Sequence, residues 1–233
     1  MTEHIVKSYE GQLQELTNTI VKMGGLAESQ FSNSMIALLK RDQDLADKVS
    51  GKDFLMNEFD IKIENLVINL IALRQPMGID LRETVSSMRI SSELERIGDL
   101  SKNIAKRVRH LNFDVPNEIA DSFRRAANVV QKNLKDVLDS YSKRTKDTAF
   151  RVWNSDLEVD QLVNFVMDEL IKFMKANKNN LEISTHLLFA AKHIERIGDH
   201  VTNICENVYF LITGDQIKGT RSKKGDKSAS LNK

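Results

Sequence analysis

Apolar residues return every three or four positions through most of this chain, the spacing that lines one face of an α-helix. Six long helices follow from that pattern. The first is expected from about Ile5 to Lys40, with a weak point or bend at Gly24-Gly25, and the second from about Asp44 to Arg74, with a break near Gly51. Gln75-Pro76-Met77-Gly78-Ile79 interrupts the pattern as a turn. Asp80, with Glu83 three residues later, resembles a capping box and opens the third helix, which ends before Pro116. The fourth helix is expected over about Asn117 to Lys143 and the fifth over about Asp147 to Ala176. A polar loop, Asn177-Lys178-Asn179-Asn180, then leads to a sixth from about Leu181 to Thr213, stopped by Gly214. The fold class is all-α.

The pattern is duplicated. Glu95-Arg96-Ile97-Gly98-Asp99, followed by Asn103, returns as Glu195-Arg196-Ile197-Gly198-Asp199, followed by Asn203. Earlier, Arg41, Asp44, Ala46, Val49 and Asp53 match Arg144, Asp147, Ala149, Val152 and Asp156. The earlier set repeats at an offset of 103 and the later motif at 100, so the first unit holds three extra residues, expected at the Gln75-Pro76 turn. Two tandem three-helix bundles account for this, over residues 1–115 and 116–214. Residues 215–233 are rich in Lys, Ser and Gly and are expected to form a disordered basic tail.

Composition narrows the class. The 233 residues are 41% hydrophobic and 29% charged, with no apolar run near the roughly 18–20 residues that a membrane span needs. Only Pro76 and Pro116 occur, which suits long uninterrupted helices. No basic n-region with an apolar h-region opens the chain, and Cys205 stands alone, so a soluble protein of the reducing cytoplasm is expected. A net charge of +1 gives no case for a nucleic-acid partner.

The repeated motif carries the candidate chemistry. Residues four apart share a helix face, so Glu95, Asp99 and Asn103 form an oxygen-bearing stripe, as do Glu195, Asp199 and Asn203. The apolar seam of each helix is centred nearly opposite: Leu94, Ile97, Ile104 and Val108 in the first copy, Ile194, Ile197, Val201, Ile204 and Val208 in the second. The seam is therefore expected to pack inward and the carboxylates to face outward. A mid-helix glycine costs about 1 kcal/mol relative to alanine, so Gly98 and Gly198 mark a close approach by a neighbouring helix.

A second acidic element precedes each motif, Asp53-x-x-x-Asn57 in one unit and Asp156-x-x-x-Asp160 in the other. Clustered carboxylates repel unless a cation or proton sits among them. All-oxygen sets suit magnesium, manganese, calcium or iron better than the Cys/His sets of structural zinc do. The competing reading is a solvated helix face, with Arg96 and Arg196 neutralising the stripe; repetition with identical intervening residues favours a site. His193 and His200 have no counterparts in the first copy and read as surface histidines. Cys205 reads as a core residue.

Enzymatic readings fare poorly. Glu-x-x-His, a phosphate-binding glycine loop and GxSxG are all missing from the sequence. A metal-dependent hydrolase would need a nucleophile or base that does not stand out. The chain reads as a non-enzyme.

These residues resemble the PhoU family, the accessory regulators of phosphate-specific transport. The match rests on both Glu-Arg-Ile-Gly-Asp segments and on the run His193 to His200, then Asn203-Ile204-Cys205-Glu206. It also takes in Arg74-Gln75-Pro76 ahead of Asp80-Leu81-Arg82, and Met23-Gly24-Gly25; together it spans about residues 20–214. The resemblance implies two repeated three-helix bundles in a homodimer, and negative regulation of the phosphate-starvation response with modulation of phosphate uptake. It implies an adaptor between the ATPase subunit of a phosphate ABC transporter and a phosphate-sensing histidine kinase, peripheral to the membrane only through those partners. It also implies divalent or trivalent metal ions (iron, zinc, manganese or magnesium) on Glu95/Asp99 with Asp53, and on Glu195/Asp199 with Asp156/Asp160. Asn57 departs from the acidic pattern, which points to a weaker first site. The alternative is a metal-free helical scaffold that uses the acidic faces for protein docking.

Overall fold

The computed structural model describes residues 2–218, with side chains from Tyr9 onward, and all regular structure among the described residues is helical. The first unit contains α1 (Thr2–Lys40), α2 (Gln43–Gly51), α3 (Asp53–Arg74) and α4 (Gly78–Ala105). The second contains α5 (Asn117–Lys143), α6 (Lys146–Asn154), α7 (Asp156–Ala176) and α8 (Leu181–Thr213). Short 3₁₀ turns cover Val108–His110 and Lys178–Asn180. Most of the expected tail, from residue 219 on, lies outside the described residues.

The second expected helix is divided at Gly51, as its glycine suggests, into α2 and α3. The fifth is divided as well, into α6 and α7, which its sequence did not announce. The breaks fall at equivalent residues, Lys52 (φ −98°, ψ 1°) and Ser155 (φ −84°, ψ 0°). At the second break Ser155 Oγ donates to the Val152 carbonyl at 2.6 Å and accepts from Asn133 Nδ2 at 2.8 Å. A serine that satisfies a backbone carbonyl in this way offers the chain an alternative to the helix. Arg41 and Arg144, also equivalent, both take left-handed backbone (φ 52° and 56°) where one helix turns into the next.

Gly24-Gly25 produces no break in α1. A Cβ on Gly24 would lie 2.7 Å from the Leu138 methyls of α5, so this glycine lets the two units touch. Asp80 and Glu83 do not cap α4, whose N-cap is Met77. Tertiary contacts claim them: Tyr9 Oη donates to Asp80 at 2.9 Å, Thr17 Oγ1 donates to Glu83 at 2.8 Å, and Arg144 also pairs with Glu83. The extra residues of the first unit sit largely in the helix and not in the turn. α4 starts at Gly78 and α8 at Leu181, so α4 has nearly one more turn ahead of Gly98 than α8 has ahead of Gly198.

α4 and α8 lie side by side at the centre and run antiparallel. Arg82 near the start of α4 donates to the Leu211 carbonyl near the end of α8, at 3.4 Å. At the other end His110 stacks on His186, ring centroids 4.3 Å apart. The expected seams are buried throughout: Leu94, Ile97 and Ile104 on α4 with Val108 in the 3₁₀ turn after it, and Ile194, Ile197, Val201, Ile204 and Val208 on α8. Cys205 is buried with them. Among the described residues no helix is long and apolar enough to cross a membrane.

Candidate functional site

Each repeated motif lines a groove between a central helix and the helix packed on its flank. The close approach is permitted by the motif glycine. A Cβ on Gly98 would lie 2.9 Å from Met56 Cγ of α3 and 3.0 Å from Gln30 Oε1; one on Gly198 would lie 2.9 Å from Val159 Cγ1 of α7. With the neighbouring backbone drawn in this far, the carboxylates do not stand free in solvent. Glu95, Asp99, Asn103, Glu195, Asp199 and Asn203 are all half-buried, so the stripe lies on the side away from the buried seam but opens to solvent only in part. The central helices are flanked on several sides, so only a narrow strip of each remains open.

In the first groove Asp53, at the start of α3, pairs with Lys102 of α4. Arg96 reaches Glu95 at 3.6 Å and Asp99 at 3.7 Å. Asp60 accepts a hydrogen bond from Ser91 Oγ. Burial holds the Glu95 carboxyl above its ordinary range; Asp99, Asp60 and Asp53 push it the same way, and Arg96 opposes them. Asn57 is exposed. The α3 residue that joins Asp53 near Glu95 is therefore Asp60, two turns on, and not the residue four positions on. The seven-residue interval between the two aspartates was the available signal.

In the second groove Asp156 of α7 accepts from Thr202 Oγ1 at 2.9 Å. Thr202 and Lys102 occupy equivalent positions, as do Asp156 and Asp53. The same aspartate is thus neutralised by an ammonium in one repeat and only hydrogen-bonded by a hydroxyl in the other. Glu195 takes Lys192 as its cation, and Asp160 is half-buried one turn beyond Asp156.

The histidines beside the second motif are not surface residues. His200 Nδ1 donates to Glu93 Oε2 at 2.6 Å, and Asn203 Nδ2 donates to the same oxygen at 3.0 Å, so both bridge α8 to α4. Glu93 and Asn203 also line a cavity of about 500 Å³ between these helices, together with Arg89, Glu206 and Phe210. Neither ring nitrogen of His193 reaches the surface or a hydrogen-bond partner. Burial, and then Arg107 and Arg196, push this imidazole down to about 4. These histidines lose their exposure because α4 covers α8 on that side.

The donor set is chemically suited to a hard, oxygen-seeking cation. Its arrangement is more open than a finished site: among the described residues no three His, Cys, Asp or Glu side chains converge on one point. Lys102, Arg96 and Lys192 lie on the carboxylates a cation would take.

Comparison with known proteins follows the duplication. The PhoU domain pattern matches the chain twice, over residues 20–108 and 123–208. The "Phosphate-specific transport system accessory protein PhoU homolog" of Caulobacter vibrioides is 43% identical, covering 96% of this chain and 97% of that one. The homologue of the same description from Rhizobium meliloti is 41% identical, covering 94% and 93%. Among solved structures, PhoU from Pseudomonas aeruginosa superposes with a TM-score of 0.85 at 30% identity, covering 89% of this chain and all of that one. The phosphate transport system regulatory protein PhoU from Streptococcus pneumoniae gives 0.83 at 28% identity, covering 90% and 99%. Two matched grooves on a duplicated helical bundle, two PhoU domain matches and relatives similar along nearly their whole length lead to one conclusion: this chain belongs to the PhoU family.

Proposed function

We propose that this protein is a non-enzymatic regulator of phosphate transport that represses the phosphate-starvation response when phosphate is ample and modulates phosphate uptake. Its full-length similarity to proteins named as phosphate-specific transport accessory proteins carries the reading. It acts in the cytoplasm as an adaptor, joining the ATPase subunit of a phosphate ABC transporter to a phosphate-sensing histidine kinase. The exposed α3 residues Phe54, Ile61 and Ile68, seven apart on one face, support a homodimer.

The acidic grooves are its ligand surfaces. Glu95, Asp99 and Asp53, with Asn103, would hold a cation in the first repeat, and Glu195, Asp199, Asp156 and Asp160, with Asn203, in the second. Such a cation supplies positive charge that relieves carboxylate repulsion and joins two helices. Iron, manganese and magnesium suit the oxygen donors, and zinc is a further occupant. The second groove is the stronger site, because Thr202 stands where Lys102 competes in the first.

A second reading draws on Lys102, Arg96 and Lys192, which already sit on these carboxylates. In a metal-free scaffold, basic side chains of a partner would take their place.

Deleting the gene tests the regulatory reading: starvation genes should stay on in phosphate-rich medium, and normal repression would sink it. Elemental analysis of protein purified without chelators, beside the Asp99→Ala/Asp199→Ala variant, tests the metal. Equal metal in both would remove these residues as ligands and favour the scaffold.

A further inference from the structure

The turn between α3 and α4 is the most apolar exposed tip of the described molecule. Met77 is 83% exposed, Leu73 71% and Ile79 53%, and Leu81 adds to the same tip. The repeat does not require this. The extra turn of α4, which has no counterpart in α8, carries Ile79, and the equivalent loop of the second unit is the polar Asn177-Lys178-Asn179-Asn180. Large apolar side chains gathered on a protruding turn lose free energy by staying in water and gain it by entering a less polar phase.

The acidic groups nearest the tip are already engaged. Asp80 accepts from Tyr9, and Glu83 is held by Thr17 and Arg144. The C-terminal segment leaves the fold at this same end. Gly214 ends α8 in left-handed backbone (φ 80°), and a Cβ there would lie 3.3 Å from the Arg82 guanidinium at the start of α4. The sequence beyond carries six basic residues, Lys218, Arg221, Lys223, Lys224, Lys227 and Lys233, against two acidic residues, Asp215 and Asp226.

We propose that the Leu73/Met77/Ile79 tip and the basic segment after α8 together seat the protein directly on an anionic lipid surface. Apolar insertion and polybasic attraction are each weak, and stable peripheral binding draws on both. The placement goes beyond the adaptor reading, in which membrane proximity comes only through protein partners. It orients the long central helices away from the bilayer, with the acidic grooves midway along them and clear of the negative headgroups.

The test is co-sedimentation of the full chain with phosphatidylcholine vesicles, with and without phosphatidylglycerol. Wild-type protein should bind only the anionic vesicles and should be released by salt. Met77→Glu/Ile79→Glu and, separately, Lys223→Glu/Lys224→Glu should each weaken binding by about tenfold or more. Met77 and Ile79 are exposed, so the thermal melt of the tip variant should match wild type. Absence of wild-type binding to anionic vesicles overturns the proposal. So does binding that neither variant weakens. Unchanged vesicle binding, with self-association or partner binding lost in the tip variant, would reassign the tip to a protein interface. None of these outcomes depends on phosphate regulation, so failure here is separable from failure of the adaptor reading.

Discussion

Glu93 on α4 and His200 on α8 are joined by a 2.6 Å hydrogen bond across the boundary between the two repeats, and Asn203 gives its amide to the same carboxylate oxygen. The residue equivalent to Glu93 is His193, and the residue equivalent to His200 is Leu100, so the bridge is an asymmetric addition to a duplicated frame. Removing one partner from a partly buried hydrogen bond typically costs about 1–2 kcal/mol. Urea denaturation of Glu93→Ala, His200→Ala and the double variant should give single losses of that order and a double loss smaller than their sum. Additive losses would mean the contact contributes nothing to holding the repeats together.

The motif glycines should differ in their response to alanine. Added helix propensity favours each substitution by about 1 kcal/mol, but the new methyl meets Val159 Cγ1 at 2.9 Å in one repeat and Met56 Cγ at 2.9 Å in the other. Valine is branched at Cβ and rigid, whereas methionine has further torsions with which to move aside. Gly198→Ala should therefore lower the melting temperature more than Gly98→Ala does. Val159→Ala added to Gly198→Ala should recover part of the loss, since it removes the contacting methyls. Equal effects at the two glycines would contradict the contact argument.

His193 gives the fold a pH dependence of known sign. Its imidazole is pushed from the usual 6.5 down to about 4, so between those values the unfolded chain binds a proton that the folded one does not. Stability from this group is fully present above 6.5 and is lost as pH falls toward 4. His193→Gln should flatten the fall in stability across that window relative to wild type, read by denaturant unfolding at a series of pH values. Parallel curves would show that another group is responsible.

Glu95 runs the other way. Burial and the neighbouring Asp99 raise its folded value, so its ionised form weakens the fold at neutral pH. In chelator-treated protein Glu95→Gln should raise the melting temperature, a sign expected of a residue retained for binding and not for stability. If the groove holds a cation, adding manganese or magnesium should stabilise wild type more than Glu95→Gln. A lower melting temperature in the variant without metal would mean that the Arg96 contact outweighs the repulsion.

The pattern of apolar positions was enough to place the helices, because each has a continuous buried seam, and the duplication was legible from paired residues such as Arg41 and Arg144. What escaped were features decided by packing. The α6–α7 break depends on Ser155 meeting both Val152 and Asn133, a contact with no local signature. Asp80 and Glu83 have capping spacing but are taken by Tyr9, Thr17 and Arg144. The carboxylate stripe would be an open face on an isolated helix, but Gly98 and Gly198 bring α3 and α7 close enough to make that face one wall of a groove. The partners that complete the grooves, Lys102, Thr202 and Asp60, are brought to them only by the packing of the helices.

The central claim is that the paired acidic grooves carry the regulatory function of this PhoU family member. Its most direct test is a phosphate-starvation reporter in cells grown on ample phosphate, whose only copy of the gene encodes Asp99→Ala/Asp199→Ala, with protein level checked alongside. The account predicts a reporter switched on while the variant accumulates at the wild-type level. Full repression by a variant lacking both aspartates would contradict it.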